Sequence, residues 1–107
     1  MTSSTIEASA PLARSVTVGS QTLLVRLLDG RAIEVPLDWY PRLVHATESE
    51  REAWRLVGGG AGVHWDELDE DIEVVGLLEG RRSAESEASF HRWMLARSAA
   101  SGGRSVG

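Results

Sequence analysis

The sequence predicts a small α+β single domain: an antiparallel hairpin-based sheet with short helices and a C-terminal helix. Three observations carry that prediction. Two runs of strand formers, Thr22 to Leu28 and Arg31 to Val35, are joined by Asp29-Gly30, a turn dipeptide. Thr47 and Glu50 stand three residues apart, the reciprocal capping pattern of a helix start. Phe90, Trp93, Met94 and Arg97 recur at helical spacing, one stripe of a terminal helix. At 107 residues the chain holds one domain, because a second would be too small to bury a core.

Residues 1–14 are rich in Ser, Thr and Ala without apolar periodicity and read as a disordered tail. Residues 98–107 read the same way, so the domain is expected over 15–97. Val16 to Val18 opens a short strand before the turn at Gly19-Ser20. The register of the next hairpin follows from its apolar pattern. A two-residue turn would place Ile33 and Val35 on the face of Arg26. A three-residue loop with Gly30 left-handed instead pairs Leu27 with Arg31 and gathers Leu23, Val25, Leu27, Ile33 and Val35 on one face. The second register separates apolar from polar side chains, so the hairpin is expected to carry a bulge.

Pro36 ends the second strand because it has no N–H for the ladder. Asp38 is expected to cap a short helix from Trp39 to His45, with Leu37, Tyr40 and Val44 on one face. Thr47 opens a second short helix that stops near Trp54. Strands are expected at Arg55 to Gly58, Val63 to Trp65 and Ile72 to Val75, with an acidic turn between the last two. Gly76-Leu77-Leu78 forms a turn or one helical turn, and Glu79 to Arg82 forms a linker. Ser83 is expected to cap the last helix, which ends near Arg97.

Composition removes several functions. The net charge is −5 and all 11 basic residues are arginine, so the chain lacks the basic footprint of a nucleic-acid binder. There is no cysteine, hence no disulfide framework or thiolate chemistry. No apolar run approaches membrane length, and the N-terminus lacks a signal-peptide pattern; a cytoplasmic location is expected. Gly58-Gly59-Gly60-Ala61-Gly62 is no phosphate loop: the chain has no lysine, and Val63 stands where the third glycine of a dinucleotide motif belongs. Those glycines are expected to make a flexible, positive-φ connection between strands.

The acids Asp66, Glu67, Asp69, Glu70, Asp71 and Glu73 fail as a calcium loop. Counted from Asp66, Leu68, Asp71 and Leu77 fall at positions three, six and twelve, where oxygen, glycine and glutamate are required. No metal or other cofactor is expected, and the segment reads as a solvated turn. Four tryptophans in so short a chain are the more informative feature. Trp54 belongs to the core. Trp39 and Tyr40 are adjacent on a short helix and cannot both face inward, and Trp65 at the lip of the acidic turn is expected to be partly exposed. Exposed tryptophan beside charge is characteristic of protein contacts.

The runs Leu28-Asp-Gly-Arg-Ala-Ile-Glu-Val-Pro-Leu-Asp-Trp-Tyr-Pro-Arg-Leu43, Ala46-Thr47, Trp54-Arg-Leu-Val-Gly58, Gly62-Val-His-Trp-Asp-Glu-Leu-Asp-Glu-Asp-Ile72 and Gly76-Leu-Leu78 resemble the bacterial and phage family known as domain of unknown function 2442, from Val18 to Gly80. The resemblance implies a small mixed α+β fold. It implies pairing with a second small protein encoded nearby, in arrangements like toxin–antitoxin modules, and brings no established catalytic residues. Some members carry a helix-turn-helix segment, whereas this chain shows a single helix after Gly80.

The expected function is therefore a non-enzymatic interaction module with a basic protein partner. Trp39, Tyr40, His64, Trp65, Asp69, Glu70 and Asp71 are its expected contact residues. A second copy of the chain is an alternative partner, through the Phe90/Trp93/Met94 stripe. The rival from another class is a small metal-dependent enzyme or ligand binder centred on His64 and the acids Asp66 to Asp71.

Overall fold

A computed structural model describes the backbone of residues 11–106 and the side chains of residues 11–99. Two three-stranded antiparallel sheets, ordered β1-β2-β3 and β4-β5-β6, contribute to one core. The first comprises β1 (Ala13–Val18), β2 (Thr22–Leu27) and β3 (Ala32–Pro36). Its hairpin has the bulged register: Arg26 faces Ala32 and Val25 faces Ile33. The Leu27 N–H donates to the Arg31 carbonyl at 2.8 Å, and Gly30 sits at φ 96°. Leu23, Val25, Leu27 and Val35 are buried on one face, while Arg26, Ala32 and Glu34 are exposed on the other.

Several boundaries differ from expectation. β1 starts at Ala13, so the first strand reaches into the expected tail; Ala13 is buried, and the Leu12 carbonyl accepts the Leu28 N–H. Residues 1–10 of that tail lie outside the described residues. Around Trp39 the single capped helix is replaced by a 3₁₀ turn, Leu37–Trp39, and a helix α1 (Pro41–Val44). Pro41 excludes the helical conformation from Tyr40, which sits at φ −130°, and Asp38 makes no side-chain cap. Leu43, rather than Val44, joins Leu37 and Tyr40 in the core.

Helix α2 (Glu48–Glu52) carries the full capping box: the Glu50 N–H donates to Thr47 Oγ1, and the Thr47 N–H donates to the Glu50 carboxylate. The second sheet comprises β4 (Trp54–Val57), β5 (Gly62–Trp65) and β6 (Glu70–Glu73). Gly58, Gly59 and Gly60 all have positive φ, as expected, but their connection is tightly seated. A Cβ on Gly60 would stand 2.8 Å from the Ala13 carbonyl oxygen.

β6 starts two residues earlier than expected, and helix α3 (Val74–Leu78) replaces its end. Burial of Val74 and Leu77 at helical spacing overrides the strand preference of a Val-Val pair. Gly80, at φ 79°, closes α3: its N–H donates to Leu77 and that of Arg81 donates to Gly76, a pair of bonds that satisfies the last carbonyls.

The final helix α4 (Glu87–Val106) starts later than Ser83 and continues past Arg97, replacing the helical backbone boundary expected there. Ser83 instead accepts the Glu85 N–H, and Ser86 caps the helix by accepting the Ser89 N–H. After Arg97 the run Ser98-Ala-Ala-Ser101 holds no helix-breaking residue. Phe90 and Trp93 stack at 5.7 Å, His45 meets Phe90 at 5.5 Å, and Arg97 pairs with Glu50. The helix is thus fastened to α1 and α2 through part of the stripe read from the sequence.

Candidate functional site

The acidic segment is a tight hairpin rather than a loose loop. Trp65 faces Glu70 across β5 and β6, leaving Asp66 to Asp69 to make the turn. Asp69 adopts φ 52°, a left-handed conformation that aspartate tolerates better than most residues. Leu68 is fully buried and anchors the turn. Arg42 of α1 holds it from outside, donating through one terminal nitrogen to the Leu68 carbonyl at 2.7 Å.

Strand alternation divides this hairpin into two faces. Arg55, His64 and Asp71 lie in register on the outer face. Arg55 donates twice to Asp66, at 2.9 and 3.1 Å, and its hydrogen bond holds the Asp66 carboxyl below the usual carboxylate range. His64 lies between two acids: Nε2 is 3.2 Å from Asp66 and Nδ1 is 3.1 Å from Asp71. The two carboxylates flank opposite edges of the imidazole, and of the two contacts the Nδ1–Asp71 one has hydrogen-bond geometry.

The inner face carries Trp65 and Glu70. Trp65 is 1% exposed, and its indole N–H donates to the Arg51 carbonyl at 3.0 Å. Its expected partial exposure is corrected accordingly: in strand alternation Trp65 points with Val63 into the core. Glu70 is 8% exposed. Burial pushes its carboxyl up to about 7, against the opposing pull of Arg42, while the Glu85 charge pushes in the same direction as burial.

A groove of about 370 Å³ runs beside Glu70, walled by Tyr40, Gly76 and the crossing segment Arg81 to Ala84. The Tyr40 hydroxyl donates to the Arg81 carbonyl at 3.1 Å, bracing that wall. Burial and then the Glu70 charge push the Tyr40 phenol up to about 12. In an adjoining pocket of about 280 Å³, also lined by Glu70, Arg42 donates to Glu85 at 2.9 Å, and that bond holds the Glu85 carboxyl below its ordinary value.

The expected contact residues are therefore divided. His64, Asp69 and Asp71 reach solvent, Trp39 is half-buried behind Arg82, and Tyr40, Trp65 and Glu70 are buried. Arg42 comes from α1, whereas Arg81 and Glu85 come from the segment between α3 and α4, so no spacing in the sequence marks the three as one site. Glu70 did leave a signal. Ile72 is an obligatory inward residue, and strand period two places Glu70 on the same side.

The fold and this site define a small α+β domain presenting an acidic hairpin with one charged face and one buried carboxylate. The chain belongs to the family described as protein of unknown function DUF2442, matched over residues 13–83. It is similar to a protein of unknown function from Rhodospirillum rubrum, with 27% identity and a TM-score of 0.62 over 75% of this chain and 96% of that one. It is equally similar to an uncharacterized protein from Chromobacterium violaceum solved by NMR, with 27% identity and a TM-score of 0.62 over 83% and 82%. No curated protein matches the chain. Among the described residues, no helix is long and apolar enough to cross a membrane.

Proposed function

We propose that the chain is a non-enzymatic protein-interaction module, the acidic, antitoxin-like or regulatory member of a small two-protein bacterial system in the cytoplasm. The observation that carries this reading is the charge of the β5–β6 hairpin. Asp66, Glu67, Asp69, Asp71 and Glu73 are exposed there, with Arg55 and His64 on the same surface. A basic partner surface would be steered toward these acids, and aromatic contact would then slow dissociation. With Trp65 in the core, that aromatic role falls to Trp39.

The test is capture of the protein encoded beside this one, at moderate salt. Asp69→Ala/Asp71→Ala is expected to weaken the complex about tenfold or more and flatten its salt dependence. Trp39→Ala is expected to raise the dissociation rate. Unchanged binding by both variants would place the contact surface elsewhere.

A further inference from the structure

Charge on the hairpin rim does not account for Glu70. Its chain neighbours reach solvent, whereas Glu70 as a residue is only 8% exposed and lines two adjoining pockets. Among the described residues it has no salt-bridge partner, and no fully enclosed side-chain oxygen or nitrogen is left without a hydrogen bond. The Glu70 oxygens are therefore not fully enclosed, and the residue lines the groove. The cations nearby are already engaged. Arg42 is committed to Glu85 and the Leu68 carbonyl, Arg81 to Glu79, and Arg82 lies 5.3 Å from the Trp39 ring centre.

We infer that this groove receives one arginine side chain of the protein partner, its guanidinium seated on the Glu70 carboxylate with Asp69 and Asp71 at the rim. The inference rests on the interaction reading above and names the chemistry of its central contact. A buried carboxylate whose nearby cation, Arg42, is committed to Glu85 is costly in its ionised form, and an entering cation supplies further counter-charge. Guanidinium suits the site better than ammonium, because it is weakly hydrated and its planar fork of donors matches a carboxylate bidentately.

Binding carries a proton balance. The fraction of Glu70 that is neutral must release its proton to the solvent as the cation enters. The titratable and charged groups around Glu70 are Tyr40 beside α1, Arg42 from α1, Arg81, Arg82 and Glu85 from the crossing segment, and Asp69, Asp71 and Glu73 from the hairpin itself. Tyr40 stays protonated and Arg42 stays charged across the neutral range.

The probe is N-acetyl-arginine methylamide, added to the full chain at constant ionic strength and followed by amide and indole NMR shifts. The expected dissociation constant is about 1 mM at pH 8, the scale for a ligand of this size. It is expected to be about tenfold weaker at pH 6. Glu70→Gln, a neutral isostere whose fold is verified by its thermal midpoint, loses the response, and the citrulline analogue gives none.

Absence of saturable shifts around Glu70, or an equal response from Glu70→Gln or from citrulline, overturns the inference. Agmatine binding a hundredfold more tightly would reassign the groove to a free small guanidine and overturn its assignment to a protein partner. The two readings separate in the capture experiment. If Glu70→Gln holds the partner as tightly as wild type, the arginine receptor is wrong and the interaction module stands. If no partner is captured by wild type at all, the module itself fails.

Discussion

Glu70 and Asp71 are consecutive carboxylates on one strand, yet they live in opposite environments. Asp71 lies on a solvent-facing surface beside His64 at 3.1 Å. Glu70 points with Trp65 and Ile72 toward the core and opens onto a groove. Nothing in their side-chain chemistry separates them; the pleat does. An acidic run on a strand is thus two populations, one that tunes the surface field and one whose charge state depends on burial.

The contrast is broken most severely from the inner face. Trp65→Ala removes a fully buried ring and leaves the Arg51 carbonyl without its indole donor. A loss of about 3–5 kcal/mol is expected, enough to unfold much of a domain this small, and urea denaturation measures it. An exposed contact tryptophan would instead leave stability almost unchanged.

Glu70→Gln sharpens the contrast through pH. In the folded chain Glu70 keeps its proton up to about 7, whereas its ordinary value is 4.5. The folded state therefore binds more protons than the unfolded chain between those values. This contribution to stability is complete below about 4.5 and is lost as pH rises through 7, by on the order of 3 kcal/mol. Gln cannot ionise, so the variant is expected to match wild type in acid and exceed it above pH 7. Denaturation midpoints from pH 4 to pH 8 read the difference; parallel curves would refute the buried charge.

Tyr40→Phe removes the hydrogen bond to the Arg81 carbonyl and is expected to cost about 1 kcal/mol. It would also loosen the groove wall, visible as faster amide exchange at residues 81–84. Asp66→Asn, on the outer face, is expected to leave the thermal midpoint where it is, because both partners of the Arg55 pair are more than half exposed and such pairs contribute little.

The β2–β3 hairpin is legible in the sequence down to its register, because Leu23, Val25, Leu27 and Val35 segregate cleanly only with Gly30 in a bulge. The capping box at Thr47 is legible for the same reason: local chemistry suffices. The later segment is less so. Trp65 looks exposed when judged by its acidic neighbours, and only its pairing with Trp54 and Glu70 across two strands reveals that it is core. The Tyr40 break follows from Pro41, a local signal, because a proline disfavours helical backbone at the residue before it. Arg42 and Glu85 lie 43 residues apart and meet through tertiary packing that no spacing rule encodes.

The most direct measurement of the divided hairpin is a pH titration of the Glu70 side-chain carboxyl, followed by ¹³C NMR in the free protein. The account predicts a midpoint of about 7. A midpoint at 4.5, the ordinary glutamate value, would mean that Glu70 is as well solvated as the acids beside it, and the inner face as drawn would be wrong.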